Sequence, residues 1–233
     1  MSQPNSALGE ELAELYKIRF ADGFQERKSA IWQVLCDHFF SKFVPADATV
    51  LDVACGYGEF SNHINAKRKI GVDLNPDSKA CLRPEVEFHQ TAADSLEVVG
   101  QNVVDVAFTS NFLEHLPDKD ALMRVLRSVH GALRPGGRFV VMGPNIRYVG
   151  GAYWDFLDHT LALSHVSLAE GLQLAGFQIE LVYKKFLPYT TQGALPTHPM
   201  LVRAYLSLPV AWHFFGKQFL VVARKPKSAV NVT

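Results

Sequence analysis

Short apolar runs separated by helical stretches constrain this chain more than any other feature. The runs lie at residues 49–54, 69–73, 86–90, 103–109 and 138–143 and are rich in Val, Ile and Phe. Several are apolar nearly throughout, as strands covered on both faces should be. Between the fourth and fifth runs, Leu122, Val125, Leu126 and Val129 recur at helical spacing. Asp118 stands where an N-cap belongs, and Leu133-Arg134-Pro135-Gly136-Gly137 stops the helix. Strand–helix alternation of this kind predicts an α/β fold, a doubly wound and mostly parallel sheet with right-handed crossovers and helices on both faces. Hydrophobic residues make up 48% of 233, enough to fill such a core.

The two ends of the chain differ from this middle. Near the N-terminus Ile31, Leu35 and Phe39 recur at helical spacing, widened by Trp32, Phe40 and Phe43, and Pro45 should end that helix. Toward the C-terminus a helix is expected at 167–175, closed by Gly176, followed by strands at 177–186 and 218–224. The residues between those strands are too many for a turn. They suit an amphipathic helix with Leu201, Val202, Tyr205, Leu206 and Leu208 on one side, broken up by Pro196, Pro199 and Pro209. The expected organisation is a helical cap at 1–45, one domain at 46–225 carrying an insertion at 187–217, and a tail at 226–233. The insertion would serve as a lid or acceptor pocket, or as extra cover for the core.

Formal net charge is zero, which argues against a surface built for nucleic acid. Lys67-Arg68-Lys69 and Arg224-Lys225-Pro226-Lys227 are short enough to be solvated strand ends. Cys36, Cys55 and Cys81 are far apart, with no CxxC pair, so neither a zinc site nor a disulfide framework is expected. A reduced cytoplasmic setting fits, as does the absence of a basic-then-apolar leader pattern and of an 18-residue apolar run. The apolar 199–215 stretch, with Trp212, Phe214 and Phe215, is the one candidate for peripheral membrane contact. Oligomeric state leaves no mark in the sequence.

The first apolar run feeds a tight glycine turn, Asp52-Val53-Ala54-Cys55-Gly56-Tyr57-Gly58, which should open a helix at about Glu59. Gly56 and Gly58 let backbone approach a ligand closely. Asp73 ends the second run, 21 residues after Asp52, where a carboxylate can accept both hydroxyls of a ribose. A dinucleotide fingerprint would require a third glycine where Glu59 stands, and a pyrophosphate would not welcome that carboxylate. Asp52 in the loop at the strand end suits a cofactor bearing an ammonium or sulfonium.

Five segments in register, spanning about residues 46–225, resemble the class I S-adenosylmethionine-dependent methyltransferases. Asp52-Val-Ala-Cys-Gly56-Tyr-Gly58 is similar to their first motif and Ile70-Gly-Val-Asp73-Leu74-Asn-Pro to the second. Thr91-Ala-Ala93-Asp94 resembles the stretch that frames the adenine, Val104 to Leu116 the fourth-strand motif, and Leu133 to Gly137 the turn before the fifth strand. The resemblance implies seven strands with an antiparallel last one and S-adenosyl-L-methionine as cofactor, leaving S-adenosyl-L-homocysteine. It also implies that Asp52, Ala54, Gly56 and Gly58 line the methionine part, Asp73 with Leu74 the ribose, Ala93 and Asp94 the adenine, and that Asn111 lies near the sulfonium. Ala54 replaces the family's first glycine. The segment from Pro144 to about residue 191 is similar to methyltransferases encoded beside sugar-transfer genes in bacterial polysaccharide clusters.

Methyl transfer to oxygen is helped by positioning and by a general base. His115, His159 and His165 are the candidate bases, against the alternative that each is a structural histidine. The expected acceptor is a small molecule or a glycan hydroxyl. Tyr148, Tyr153, Trp154, Phe156 and Tyr189 would line its cleft or belong to the core. Glu114 and His115 could hold a metal, but neighbours on a helix do not face together and no third ligand is evident, so none is expected. Tyr16 and Arg19 could fold over the cofactor, with Arg19 on its carboxylate. The rival readings are a nicotinamide oxidoreductase, opposed by the missing glycine, and a cofactor-binding module without chemistry.

Overall fold

The computed structural model describes residues 24–189 and 198–227. Tyr16, Arg19 and Pro196, together with most of the expected cap and tail, lie outside the described residues. Strands β1 (Thr49–Val53), β2 (Arg68–Asp73), β3 (Val86–Gln90), β4 (Val104–Ser110), β5 (Leu133–Pro144), β6 (Gln178–Tyr183) and β7 (Gln218–Arg224) form one sheet in the order β3-β2-β1-β4-β5-β7-β6. The count descends to β1 and then climbs from β4, the reversal of a doubly wound sheet. Strands β1, β2 and β3 pair in parallel, as do β4 and β5, while β7 runs antiparallel to both β5 and β6. The expected fold class is therefore present, antiparallel last strand included.

The described residues fall in two compact units, 24–93 with 198–209 and 94–189 with 210–227. In the first, helix α1 (Phe24–His38) is followed by a short 3-10 turn at Phe40–Lys42. Trp32, Leu35, Cys36, Phe39 and Phe40 are buried at i, i+3, i+4, i+7 and i+8, the spacing of one helix face. Phe40 stacks on Trp32 at 6.0 Å and meets Phe60 edge-on at 5.8 Å. The helix ends at His38, well short of Pro45, because the aromatic pair Phe39–Phe40 turns into the core there. A four-residue helix, α2 (Ser78–Cys81), joins β2 to β3.

In the second unit, helix α3 (Lys119–Ala132) lies between β4 and β5. The Asp118 side chain accepts from the Ala121 amide at 2.7 Å, and Leu122, Val125, Leu126 and Val129 are buried, as the sequence predicts. Lys225 Nζ donates to the carbonyls of His130 and Leu133 at 2.7 and 2.8 Å, which satisfies carbonyls at the end of α3. Two short segments, α4 (Ile146–Val149) and a 3-10 stretch at Gly150–Asp155, lead to α5 (His165–Leu174), capped by Ser164.

Four expectations need correction. Residues 56–64 form turns, not a helix opening at Glu59, and within them the Asp52 carboxylate accepts the Ser61 amide at 3.2 Å. Strand β5 begins at Leu133 because Leu133 already pairs with Val104, with a register shift before Val106 absorbing the glycine turn. Pro199 and Pro209 are the first residues of α6 (Pro199–Ser207) and α7 (Pro209–Phe215), so they start helices rather than break one. On α6, Leu206 is buried while Leu201 stays 50% exposed, and Leu208 beyond its end is 57% exposed, so neither belongs to the inward side.

Two contributions to α3 should separate cleanly in urea denaturation. Leu126→Ala removes a side chain with 0% exposure and should cost about 2–5 kcal/mol, whereas Asp118→Ala removes a cap worth about 1 kcal/mol. The reverse ranking would refute this account of the helix.

Candidate active site

The turn after β1 is shaped by backbone that ordinary residues avoid. Ala54, Gly56 and Gly58 all have positive φ, at 57°, 52° and 75°. A Cβ at Gly58 would stand 2.5 Å from Leu82 Cδ2 and 2.8 Å from Asn62 Nδ2, so both side chains would have to shift, and the positive φ itself favours glycine there. Ala54 takes the strained conformation with its methyl group in place, which shows how a residue other than glycine is accommodated at that point. Asp73, at the end of β2, accepts the Gly56 amide with Oδ2 and the Asn75 amide with Oδ1, each at 2.8 Å. Leu74 is half-buried, and its carbonyl accepts from Gln90 Nε2 at 3.3 Å.

Asp52 sits within β1 rather than in the loop, 3% exposed, and its carboxylate holds the Ser61 amide. Burial raises its pKa to about 7, opposed by the Ser61 hydrogen bonds and reinforced by Glu59. Glu59, where a dinucleotide site would have glycine, is paired with Lys28 of α1. In the same unit Ala93 is 9% exposed.

In the second unit, Asp94 forms an ion pair with Arg124 of α3 at 3.1 Å. Asn111 follows β4 with a φ of 48°, exposed, its amide donating to the Met142 carbonyl at 3.0 Å. A 3-10 turn, Leu113–His115, comes next, and a strap at 158–161 is tied to it. The amides of Thr160 and Leu161 both donate to the Glu114 carbonyl at 3.0 Å, and the Thr160 hydroxyl donates to the Leu116 carbonyl at 2.6 Å. Tyr153, fully buried, holds the strap from the other side by donating to the Leu161 carbonyl at 2.6 Å.

This strap brings His115 and His159 together, with ring centroids 4.9 Å apart. His115 Nδ1 is 3.0 Å from the Asp158 carboxylate, and His159 Nδ1 is 2.7 Å from the Tyr153 carbonyl. Burial works to lower the His115 pKa, but the Asp158 hydrogen bond and the Glu114 charge outweigh it and the pKa is raised. Glu114 is 3% exposed, and burial lifts its carboxyl to about 7 against the pull of His115. Among the described residues, Glu114, His115 and His159 form a group whose ligand atoms lie within 4.8 Å of one another, an arrangement that can hold a cation or move a proton. The geometry supplies what the sequence lacked: a third group, and a 3-10 turn on which neighbours converge.

His165 is not part of this group. It begins α5, accepts from the Asn145 amide at 2.9 Å and lies flat against Tyr148 at 6.3 Å. Of the aromatic candidates, Tyr153 belongs to the core, Trp154 is 58% exposed, and Phe156 lies against His159 at 4.9 Å and Tyr189 at 6.3 Å. Asp158 is the residue that sequence reasoning missed. Its only signal was its position beside His159.

A family model described as a methyltransferase domain matches residues 24–182. The chain belongs to this family. It is 28% identical over 182 residues to a ubiquinone biosynthesis O-methyltransferase of Xanthomonas axonopodis, covering 69% of this chain and 75% of that protein. A probable S-adenosylmethionine-dependent methyltransferase of Mycolicibacterium smegmatis is 32% identical over 142 residues, 58% of this chain and 54% of that one. Among solved structures, a possible histamine N-methyltransferase from Thermotoga maritima matches with a TM-score of 0.65 at 16% identity, covering 93% of this chain and 97% of that one. A methyltransferase from Archaeoglobus fulgidus matches at 0.62 and 18%, covering 85% and 94%. These two establish the fold.

This methyltransferase therefore takes S-adenosylmethionine as its cofactor. Its residues fit one: a left-handed turn with no Cβ at Gly56 or Gly58, and an Asp73 carboxylate, acceptor-only, at the strand end. When bound, the cofactor supplies a methyl group on a sulfonium that is already an activated leaving group.

The buried Asp52 carboxyl predicts a pH signature without cofactor. Its pKa rises from 3.8 to about 7 on folding, so the native state keeps a proton that the unfolded chain has lost between those values. That contribution to stability is present below about pH 4 and is lost as pH rises to about 7. Asp52→Asn should therefore gain stability relative to the parent as pH rises from 4 to 7, with no further gain above. Melting temperatures of both proteins across that range check this, and a difference that does not change with pH would contradict it.

Proposed function

We propose that this methyltransferase methylates a hydroxyl oxygen of a small-molecule or glycan acceptor, with His115 taking the hydroxyl proton and Asp158 holding His115 in place. The observation that carries the reading is the 3.0 Å contact between His115 Nδ1 and the Asp158 carboxylate. A neutral imidazole that donates through Nδ1 carries its lone pair on Nε2, where it can accept a proton. The adjacent carboxylate then stabilises the imidazolium that forms. The family likeness supports the placement, since the segment containing His115 resembles the motif beside the sulfonium. The O-methyltransferase named among the relatives supports oxygen as acceptor atom. Cysteines with no disulfide, Cys36 and Cys55 buried and Cys81 exposed, support a reduced, cytoplasmic setting.

Deprotonating an alcohol in step with attack on the methyl carbon avoids a free alkoxide, and a positioned base contributes about 10²–10⁴-fold. Holding acceptor and methyl in line contributes more, roughly 7–11 kcal/mol. Phe156 and Tyr189 offer apolar surface beside His159 for the body of the acceptor.

A second reading has its own observation: the Glu114, His115 and His159 donors within 4.8 Å would suit a divalent cation that polarises the same hydroxyl. One experiment separates the two. With a panel of phenolic, sugar and amine acceptors and labelled S-adenosylmethionine, His115→Ala should lower kcat by about 10²–10⁴-fold. Asp158→Asn should lower kcat with little change in KM, and excess chelator should leave the parent unchanged. Loss on chelation with rescue by added cation would replace the base with a Lewis acid. Methylation of amines alone, or an unchanged rate in His115→Ala, would overturn the proposal.

A further inference from the structure

Helix α7 is seven residues long and uses one of them to hold itself in place. Trp212 is 6% exposed and meets Tyr183 and Phe186 edge-on, each at 5.1 Å. Lys185 Nζ donates to the His213 carbonyl at 2.7 Å, near the helix end. Gly216 closes the approach: a Cβ there would stand 2.8 Å from the Lys185 backbone. The helix is thus fixed through Trp212, while Val210 and Phe214 on the opposite side are 72% and 73% exposed and Phe215 at the helix end is 56% exposed.

Single exposed apolar residues need no explanation. This concentration does. The preceding α6 segment, in its own unit, also exposes Met200, Leu201 and Leu208. Six of the thirteen large hydrophobic residues exposed among the described residues thus fall in sixteen consecutive positions.

The charge of the same stretch points to what covers it. No Asp or Glu follows Glu180, whereas seven Lys or Arg do. The chain as a whole balances at 23 and 23, so the first 180 residues carry an excess of seven acids. Of the seven late cations, Arg224 pairs with Glu180 and Lys225 is committed to α3 carbonyls. Lys184 and Lys217, which flank the anchoring contacts of α7 in sequence, are both exposed.

We propose that the outward face of α7, with Lys184 and Lys217, docks this methyltransferase on an anionic lipid bilayer. Exposed Phe and Val on a short helix, within a stretch of sequence that carries bases and no acid, are the composition of an interfacial anchor. The aromatic rings enter the headgroup boundary while the ammonium groups stay among lipid phosphates. A second copy is a poorer occupant, because a self-complementary interface would set a basic patch against an identical one. Among the described residues no helix is long and apolar enough to cross a membrane, so the contact is peripheral. The buried Trp212 corrects the expectation that it would touch lipid itself.

Vesicle flotation of the full chain tests this, with phosphatidylcholine vesicles containing or lacking 30% phosphatidylglycerol. Binding should be at least tenfold stronger to the anionic vesicles and should weaken with salt. Phe214→Ser with Phe215→Ser should lower it at least tenfold while leaving melting temperature and S-adenosylhomocysteine binding unchanged. Lys184→Glu with Lys217→Glu should remove the preference for anionic lipid. As a readout that needs no loss of binding, Phe214→Trp should be quenched by brominated lipid on vesicle addition. No binding, equal binding to neutral vesicles, or full binding by the double Phe variant would overturn the proposal. So would a concentration-dependent dimer that the same variant dissolves, which would assign the face to a second copy. Every outcome is independent of which acceptor is methylated.

Discussion

Asp73 accepts one backbone amide on each carboxylate oxygen, Gly56 on Oδ2 and Asn75 on Oδ1, both at 2.8 Å. Those two bonds join the end of β2 to the turn after β1, and the Cys55 amide adds a third link by donating to the Val72 carbonyl at 3.0 Å. The turn that carries the Gly56 amide has left-handed backbone at residues 54, 56 and 58. An ionised carboxylate has four lone-pair sites and no donor, so two amides do not exhaust it. What remains can accept only from donors, and ribose hydroxyls are donors. The group that shapes the turn is therefore one that can also accept a ligand's donors. An amide side chain at 73 would keep one accepting oxygen and present hydrogens from the other atom, which would set the loop amides against a donor.

Much of the fold is legible in the sequence, because it is local. The strands at 86–90 and 218–224 carry their full length in their apolar pattern, and the cap at Asp118 and the four buried residues of α3 follow from helical spacing. Two elements depart from the local pattern. A strand feeding a glycine turn ordinarily continues into a helix, but residues 56–64 form turns, with separate i to i−4 bonds from Asn62 to Gly58 and from Ile64 to Phe60. At Leu133 a pairing with Val104 draws the glycine turn into β5. There a contact between residues distant in sequence outweighs a sound local signal.

The group around His115 shows this most clearly. His115 and Asp158 are 43 positions apart, and nothing in either segment announces the other. Their meeting depends on a strap whose two amides share the Glu114 carbonyl, and on Tyr153, whose hydroxyl holds the strap from within the core. Sequence reasoning ranked three histidines equally because it saw only their neighbours along the chain. The fold divides them: two converge on a buried glutamate, and His165 is held by Asn145. A buried carboxyl lifted to about 7 is costly to keep, since burial disfavours its charge. A carboxyl so placed beside two imidazoles is suited to passing a proton or holding a cation.

The same reasoning bears on α7. A helix of seven residues is far too short to be stable by itself in water. It stands here because Trp212 is buried against Tyr183 and Phe186 and because Lys185 holds its last turn. Phe214 and Phe215 take no part in that anchoring, and serine at either place would serve the fold as well and solubility better. Zero net charge gives no hint of this, because the acids lie before residue 181 and the unbalanced bases after it. A sum over the chain excludes a polyanion-binding surface only if charge is spread evenly, and here it is not. Once the charges are placed along the chain, the exposed apolar helix is seen to lie in the stretch of sequence that carries bases and no acid.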